Sequence, residues 1–136
     1  MDGTNVVGSR PDGWWRDRPA AFGRLVARLG HLAAGGDDVT VVFDGRADVA
    51  LGEGDHGGVA VRWARRPGRD AADDRIVEIV EHDADPASLT VVTSDRALAE
   101  RARARGAVVQ GAGTLLRRLD ALEGPAPDDP TPGRRR

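Results

Sequence analysis

Apolar residues along this chain follow two alternating rhythms. Val39-Thr40-Val41-Val42-Phe43 is a nearly continuous apolar run, with the length and composition of a strand covered on both faces. Similar runs recur at Val59 to Trp63 and Leu89 to Thr93, and a shorter one at Ala107 to Val109. Between them the spacing lengthens to that of helices. Phe22, Leu25, Val26, Leu29 and Leu32 predict a helix over 17–34, with Pro19 tolerated in its first turn and Gly35-Gly36 ending it. Ile76, Val77, Ile79 and Val80 predict a helix over 72–82, a third follows over 96–105, and Leu115, Leu116, Leu119 and Leu122 mark a last one. Residues 45–58 read as a Gly- and Asp-rich loop, and 65–71 as a basic connector.

This alternation predicts one α/β domain over 1–122, a three-layer fold with a mostly parallel central sheet flanked by helices. A Pro- and Arg-rich tail over 123–136 is expected to be disordered. A first strand is expected ahead of Asp2, where only Met1 stands. Either that strand begins at Val6 and Val7, or residues upstream are missing from this sequence; the second is our expectation.

The 136 residues suffice for one complete core. A formal net charge of -2 does not announce a nucleic-acid binder, and although all 20 basic side chains are arginine, a GC-rich genome is the plainer source of that bias. With no cysteine, disulfides and thiolate metal sites are excluded. With no lysine, so is a phosphate-binding P-loop. No run approaches the roughly 20 apolar residues of a membrane span, and no signal segment is evident, so a cytoplasmic location is expected.

The candidate chemistry is acidic. Asp2 opens the chain, Asp44 closes the run 39–43, Asp95 follows the run 89–93, and Asp73-Asp74 begin a helix. The carboxyl ends of parallel strands share one crevice. Carboxylates converging there repel one another unless a divalent cation lies between them. That points to Mg²⁺ or Mn²⁺ and to phosphodiester chemistry. Each acid also has a plain structural alternative, as a helix cap, a dipole partner or a turn residue. His31, His56 and His82 lack metal-ligand spacing.

Trp14 and Trp15, set among Arg10, Arg16 and Arg18, suit single-stranded RNA, with bases stacking on rings and phosphates meeting guanidinium groups. One of the two rings is expected to be buried under the first long helix and the other partly exposed. Arg62, Arg65, Arg66 and Arg69 form a second basic set leading into Asp73, and Arg96 stands beside Asp95.

Four segments in order, Asp2-Gly3-Thr4-Asn5-Val6-Val7-Gly8, Val41-Val42-Phe43-Asp44-Gly45, Ala72-Asp73-Asp74-Arg75-Ile76 and Val91-Val92-Thr93-Ser94-Asp95-Arg96, resemble the NYN domain. The resemblance is closest to the YacP-like branch of the PIN-like nuclease superfamily, and covers roughly 2–122. It implies a PIN-like Rossmannoid sheet and a metal-dependent ribonuclease or RNA-binding activity, and our expectation is a metal-dependent endoribonuclease cleaving single-stranded RNA. Asp2, Asn5, Asp73, Asp74 and Asp95 would be catalytic. Asp2, Asp73, Asp74 and Asp95 would hold the Mg²⁺ or Mn²⁺, with Asp44 as a third or supporting ligand. The RNA-binding set would be Arg10, Trp14, Trp15, Arg16, Arg65, Arg66, Arg69 and Arg96. A non-catalytic RNA- or ribosome-binding module of the same fold is the alternative, and a phosphohydrolase acting on a small phosphate ester is a third. Thr4 departs from the larger or aromatic residue common at its position in the family.

Overall fold

The strand-like runs at 39–43 and 59–63 are strands over those residues, β1 (Val39–Phe43) and β3 (Val59–Trp63), paired in parallel with Val41 opposite Val61. The structure, a computed structural model, describes residues 1–10, 13–45, 51–66, 68 and 70–123. Arg69 and the tail from 124 onward, both singled out in the sequence, lie outside the described residues.

The remaining elements follow in order. α1 (Gly3–Gly8) comes first, then α2 (Arg18–Ala34), capped by the Asp17 carboxylate on the Ala20 N–H and opened by Pro19. After β1 come β2 (Gly54–His56), β3 and α3 (Ala71–His82). β4 (Thr90–Val92), α4 (Arg96–Ala104), β5 (Val108–Gln110) and α5 (Ala112–Glu123) complete the fold. It is a mixed α/β fold, largely helical, with small sheets. No described helix is long and apolar enough to cross a membrane.

The structure departs from the sequence reading at two places. Val6 and Val7, the alternative start for a first strand, lie in the helix α1. β-branched residues there have little helical preference of their own, so capping and packing override propensity: the Asp2 side chain caps the turn, and Val6 is buried in the core. Gly3 is required at the first position, because a Cβ there would lie 2.5 Å from the Phe43 ring and 2.7 Å from Val41. The second departure falls within the supposed loop 45–58, where β2 runs antiparallel to β3. Gly57 and Gly58, both at positive φ (62° and 90°), make the tight turn between them.

β1, β3 and β2 form one sheet, in the order β1-β3-β2, and β4 pairs in parallel with β5 in a second. Met1 and Asp2 join the two. The Met1 ammonium donates to Thr40 O at 2.9 Å, and Val42 N donates to Met1 O at 2.9 Å. On the other side Asp2 N donates to Val92 O at 2.9 Å. Asp2 thus makes a parallel bridge to Val42 and holds the end of β4 with the same residue.

Alternate residues of β1 and β4 face different cores, as a strand's period of two requires. Val41, Phe43 and Val92 pack with Val6 of α1, Phe22 and Leu29 of α2, and Leu115 and Leu119 of α5. Val42 and Val91 pack instead with Ile76, Val77 and Val80 of α3 and Leu98 and Ala102 of α4.

Candidate active site

Asp2 ends the short extended segment between β1 and β4, Asp95 caps α4 just beyond β4, and Asp73 lies in the first turn of α3. These three acids converge: Asp73 feels the charges of Asp2 and Asp95, and Asp2 that of Asp95. Burial, chiefly, raises the Asp2 pKa above the usual carboxylate value; hydrogen bonds from Thr93 and Asn5 oppose the shift. Asp73 is pushed up to about 6, by burial first and then by Asp2, Asp95 and Asp70, with Arg101 the cation opposing it. The Asp73 carboxylate makes no hydrogen bond or ion pair among the described residues.

Threonine 93 ties the centre together. Its buried hydroxyl donates to Asp2 Oδ2 at 3.0 Å and accepts from Asp95 N at 3.0 Å. Asp2 Oδ1 accepts from Asn5 N at 3.4 Å, while Asp95 Oδ1 accepts from Leu98 N at 3.0 Å and so caps α4. The Asn5 side chain turns away from Asp2 and accepts from Ser94 N at 2.7 Å, and Ser94 Oγ accepts from Ala112 N at 3.0 Å. Asn5 therefore fastens α1 to the turn carrying Asp95. Thr93 was not among the residues expected from sequence. The available signal was a hydroxyl two residues before a strand-end aspartate. Replacing Thr93 by the isosteric valine is expected to destabilise the fold by about 1–3 kcal/mol, because Asp2 Oδ2 is left buried without a donor. Urea denaturation measures this, with Thr93→Ser expected to restore most of the loss; equal stability of Thr93→Val and wild type would refute the role.

The other predicted ligands point elsewhere. Asp74 is exposed to the arginines: its Oδ1 accepts from Arg101 at 3.0 Å and its Oδ2 from Arg66. Both hold its carboxyl below the usual range, Arg101 foremost. Asp44 Oδ1 accepts from Arg18 at 2.8 Å and from the Thr4 hydroxyl at 3.1 Å, and Thr4 Oγ1 in turn accepts from Asp44 N at 3.1 Å. Asp44 thus joins the end of β1 to the starts of α1 and α2. Among the described residues no three acidic or histidine side chains are grouped tightly enough to enclose a metal ion. Mg²⁺ asks for less: it keeps several waters and takes one or two carboxylates. The all-oxygen donors of Asp2, Asp73 and Asp95 are of the kind it takes.

The tryptophan segment makes a 3-10 turn over Trp14–Arg16. Neither ring is fully buried. Trp14 is half-buried against the end of α1, where a Cβ on Gly8 would lie 3.4 Å from it, and the Arg18 guanidinium is 5.6 Å from its ring centre. Trp15 is 55% exposed, with the Arg16 guanidinium 6.0 Å from its ring centre. Arg10 pairs with Asp120 at 2.9 Å and Arg65 with Glu78 at 2.7 Å. Arg96 is exposed beside Asp95.

The sequence profile of the YacP-like NYN domain matches residues 2–129. No curated protein sequence matches the chain. Among solved structures, a mutant form of Rae1 (YacP) from Bacillus subtilis superimposes with a TM-score of 0.71 at 25% identity, covering 90% of this chain and 74% of that one. Rae1 (YacP) itself gives 0.66 at 25% identity, covering 90% and 72%. The profile spans all but the ends of the sequence and the fold agrees with it: the chain belongs to the YacP-like NYN domain family, which is nuclease-like and RNA-related.

Proposed function

We propose that this protein is a metal-dependent endoribonuclease that cleaves single-stranded RNA, with Mg²⁺ or Mn²⁺ held by Asp2, Asp73 and Asp95. The observation that carries the reading is the convergence of these three acids: after burial, the charges of Asp2 and Asp95 add to the push that takes Asp73 up to about 6. Such repulsion is costly in the absence of a cation and is relieved by one. A bound ion would neutralise charge on the phosphoryl oxygens and supply an activated water.

The chain's own residues supply the positioning. Thr93 and the Asn5 N–H orient the Asp2 carboxylate, and the Asn5 side chain fixes the turn that presents Asp95. The exposed face of Trp15 offers a stacking surface for one base, and Arg16 and Arg96 reach phosphates. The same reading favours the three-layer PIN-like architecture, supported by the division of β1 and β4 side chains between two cores.

The test is cleavage of an unstructured labelled RNA in Mn²⁺. Cleavage is expected, to be abolished by EDTA and lost in Asp95→Asn, a substitution that keeps a good N-cap for α4. Equal cleavage by the two proteins would sink the proposal. So would RNA retained without cleavage, which would point to a binding module.

A further inference from the structure

We propose that Asp74 is not a metal ligand but the clasp of a phosphate-binding pair, holding Arg66 and Arg101 side by side on the rim of the acidic centre to receive a backbone phosphate of the RNA. The proposal rests on the ribonuclease reading for the identity of its ligand, and on the following geometry for its place.

Asp73 and Asp74 are consecutive residues of α3, so their side chains leave the helix about 100° apart. They cannot both face one point. Asp73 faces Asp2 and Asp95, and Asp74 faces the arginines. Both Asp74 oxygens already accept from a guanidinium, one from the segment between β3 and α3 and the other from α4. A cation binding there would have to displace two positive groups. The clasp is also braced from behind: Arg105 donates to Arg101 O at 3.0 Å and pairs with Glu81 of α3 at 3.0 Å, which fixes α4 against α3.

Two guanidiniums and one carboxylate leave one net positive charge. Each arginine gives one hydrogen bond to Asp74 among the described residues and keeps the rest of its donor edge for another partner. The fork geometry of guanidinium suits phosphate oxygens. Arg101 is also the cation that acts on Asp73. A phosphate held by the pair would therefore lie next to the acidic centre, where the carboxylates repel a polyanion. Arg101 carried no local signal in the sequence, because its partner is supplied by a different helix.

The test has two arms, both on the full chain. The first follows the Mn²⁺-induced rise in melting temperature. Asp74→Asn is expected to keep the wild-type rise and Asp73→Asn to lose it; loss in both would overturn the proposal. The second follows binding of an unstructured RNA in EDTA by fluorescence anisotropy. Arg101→Ala and Arg66→Ala are each expected to weaken binding about tenfold, and to lower the slope of log affinity against log salt by roughly 0.7. Arg101→Lys, which keeps the charge and the fold, should recover the salt slope but only part of the affinity. Wild-type affinity in Arg101→Ala would overturn the clasp. If wild type binds RNA but shows neither a Mn²⁺ response nor cleavage, the nuclease reading fails and the RNA arm alone decides the clasp.

Discussion

Asp73→Asn is expected to raise the melting temperature of the metal-free protein at pH 7.5 while lowering RNA cleavage at least about a hundredfold, beyond what loss of an outer-shell partner costs a metal site. The two effects have one cause. In the folded chain the Asp73 carboxyl is raised to about 6 from its ordinary 3.8. Between those values the folded state binds the proton more tightly than the unfolded state, so stability falls as pH rises from about 4 to about 6 and stays lower above. Asparagine removes that loss. Asp73 is half-exposed and water screens part of the effect, which leaves about 1 kcal/mol, or a few degrees in melting temperature. The gain should shrink as pH falls and vanish below about pH 3, where the wild-type carboxyl is largely protonated in both states. The Met1 ammonium, pushed down to about 6 by burial, adds its own pH dependence between about 6 and 8 in both proteins, and comparing the two at each pH removes it. A variant no more stable than wild type at pH 7.5, or one that cleaves at the wild-type rate, would contradict this account.

Phe43→Ala is expected to cost about 3–5 kcal/mol, the usual range for a fully buried aromatic. The ring stacks on Phe22 with centroids 4.3 Å apart and packs against Trp63 at 5.3 Å. It also lies against Gly3, where α1 begins. Truncation would therefore open space under the residues that follow Asp2. Urea denaturation should show the full loss, with Phe43→Leu retaining most of the stability because it fills more of the space. A loss under about 1 kcal/mol would mean that the aromatic cluster does not anchor α1.

The strand β1 was legible because it is buried on both faces and a continuous apolar run has few other readings, and β3 because its buried residues alternate with half-buried ones. α1 was not legible: Thr4, Asn5, Val6 and Val7 carry little helical preference, and what makes the helix is a cap from Asp2 and the fit of Gly3 against a ring from β1. β2 was hidden in a glycine-rich stretch, although Gly57-Gly58 was a usable hairpin signal. Strand-end reasoning identified the acids that could converge, but not which of them do. Asp74 and Asp44 are drawn elsewhere by Arg101 and Arg18, partners from other helices that spacing along the chain does not reveal. The tryptophan pair was conspicuous as composition, while the degree to which each ring is covered depended on the end of α1 and on Arg18.

Met1 and Asp2 supply the backbone hydrogen bonds that join the sheet of β1 to the sheet of β4. The acidic centre is thus built on the seam between the two halves of the fold. Charge repulsion at such a joint acts as a wedge, loosening the region where local opening is least costly. Neutralising it would stitch the halves into a single cooperative folding unit. Occupancy of the centre would then be felt as slower amide exchange along β4 and on into β5, which carries none of the acids.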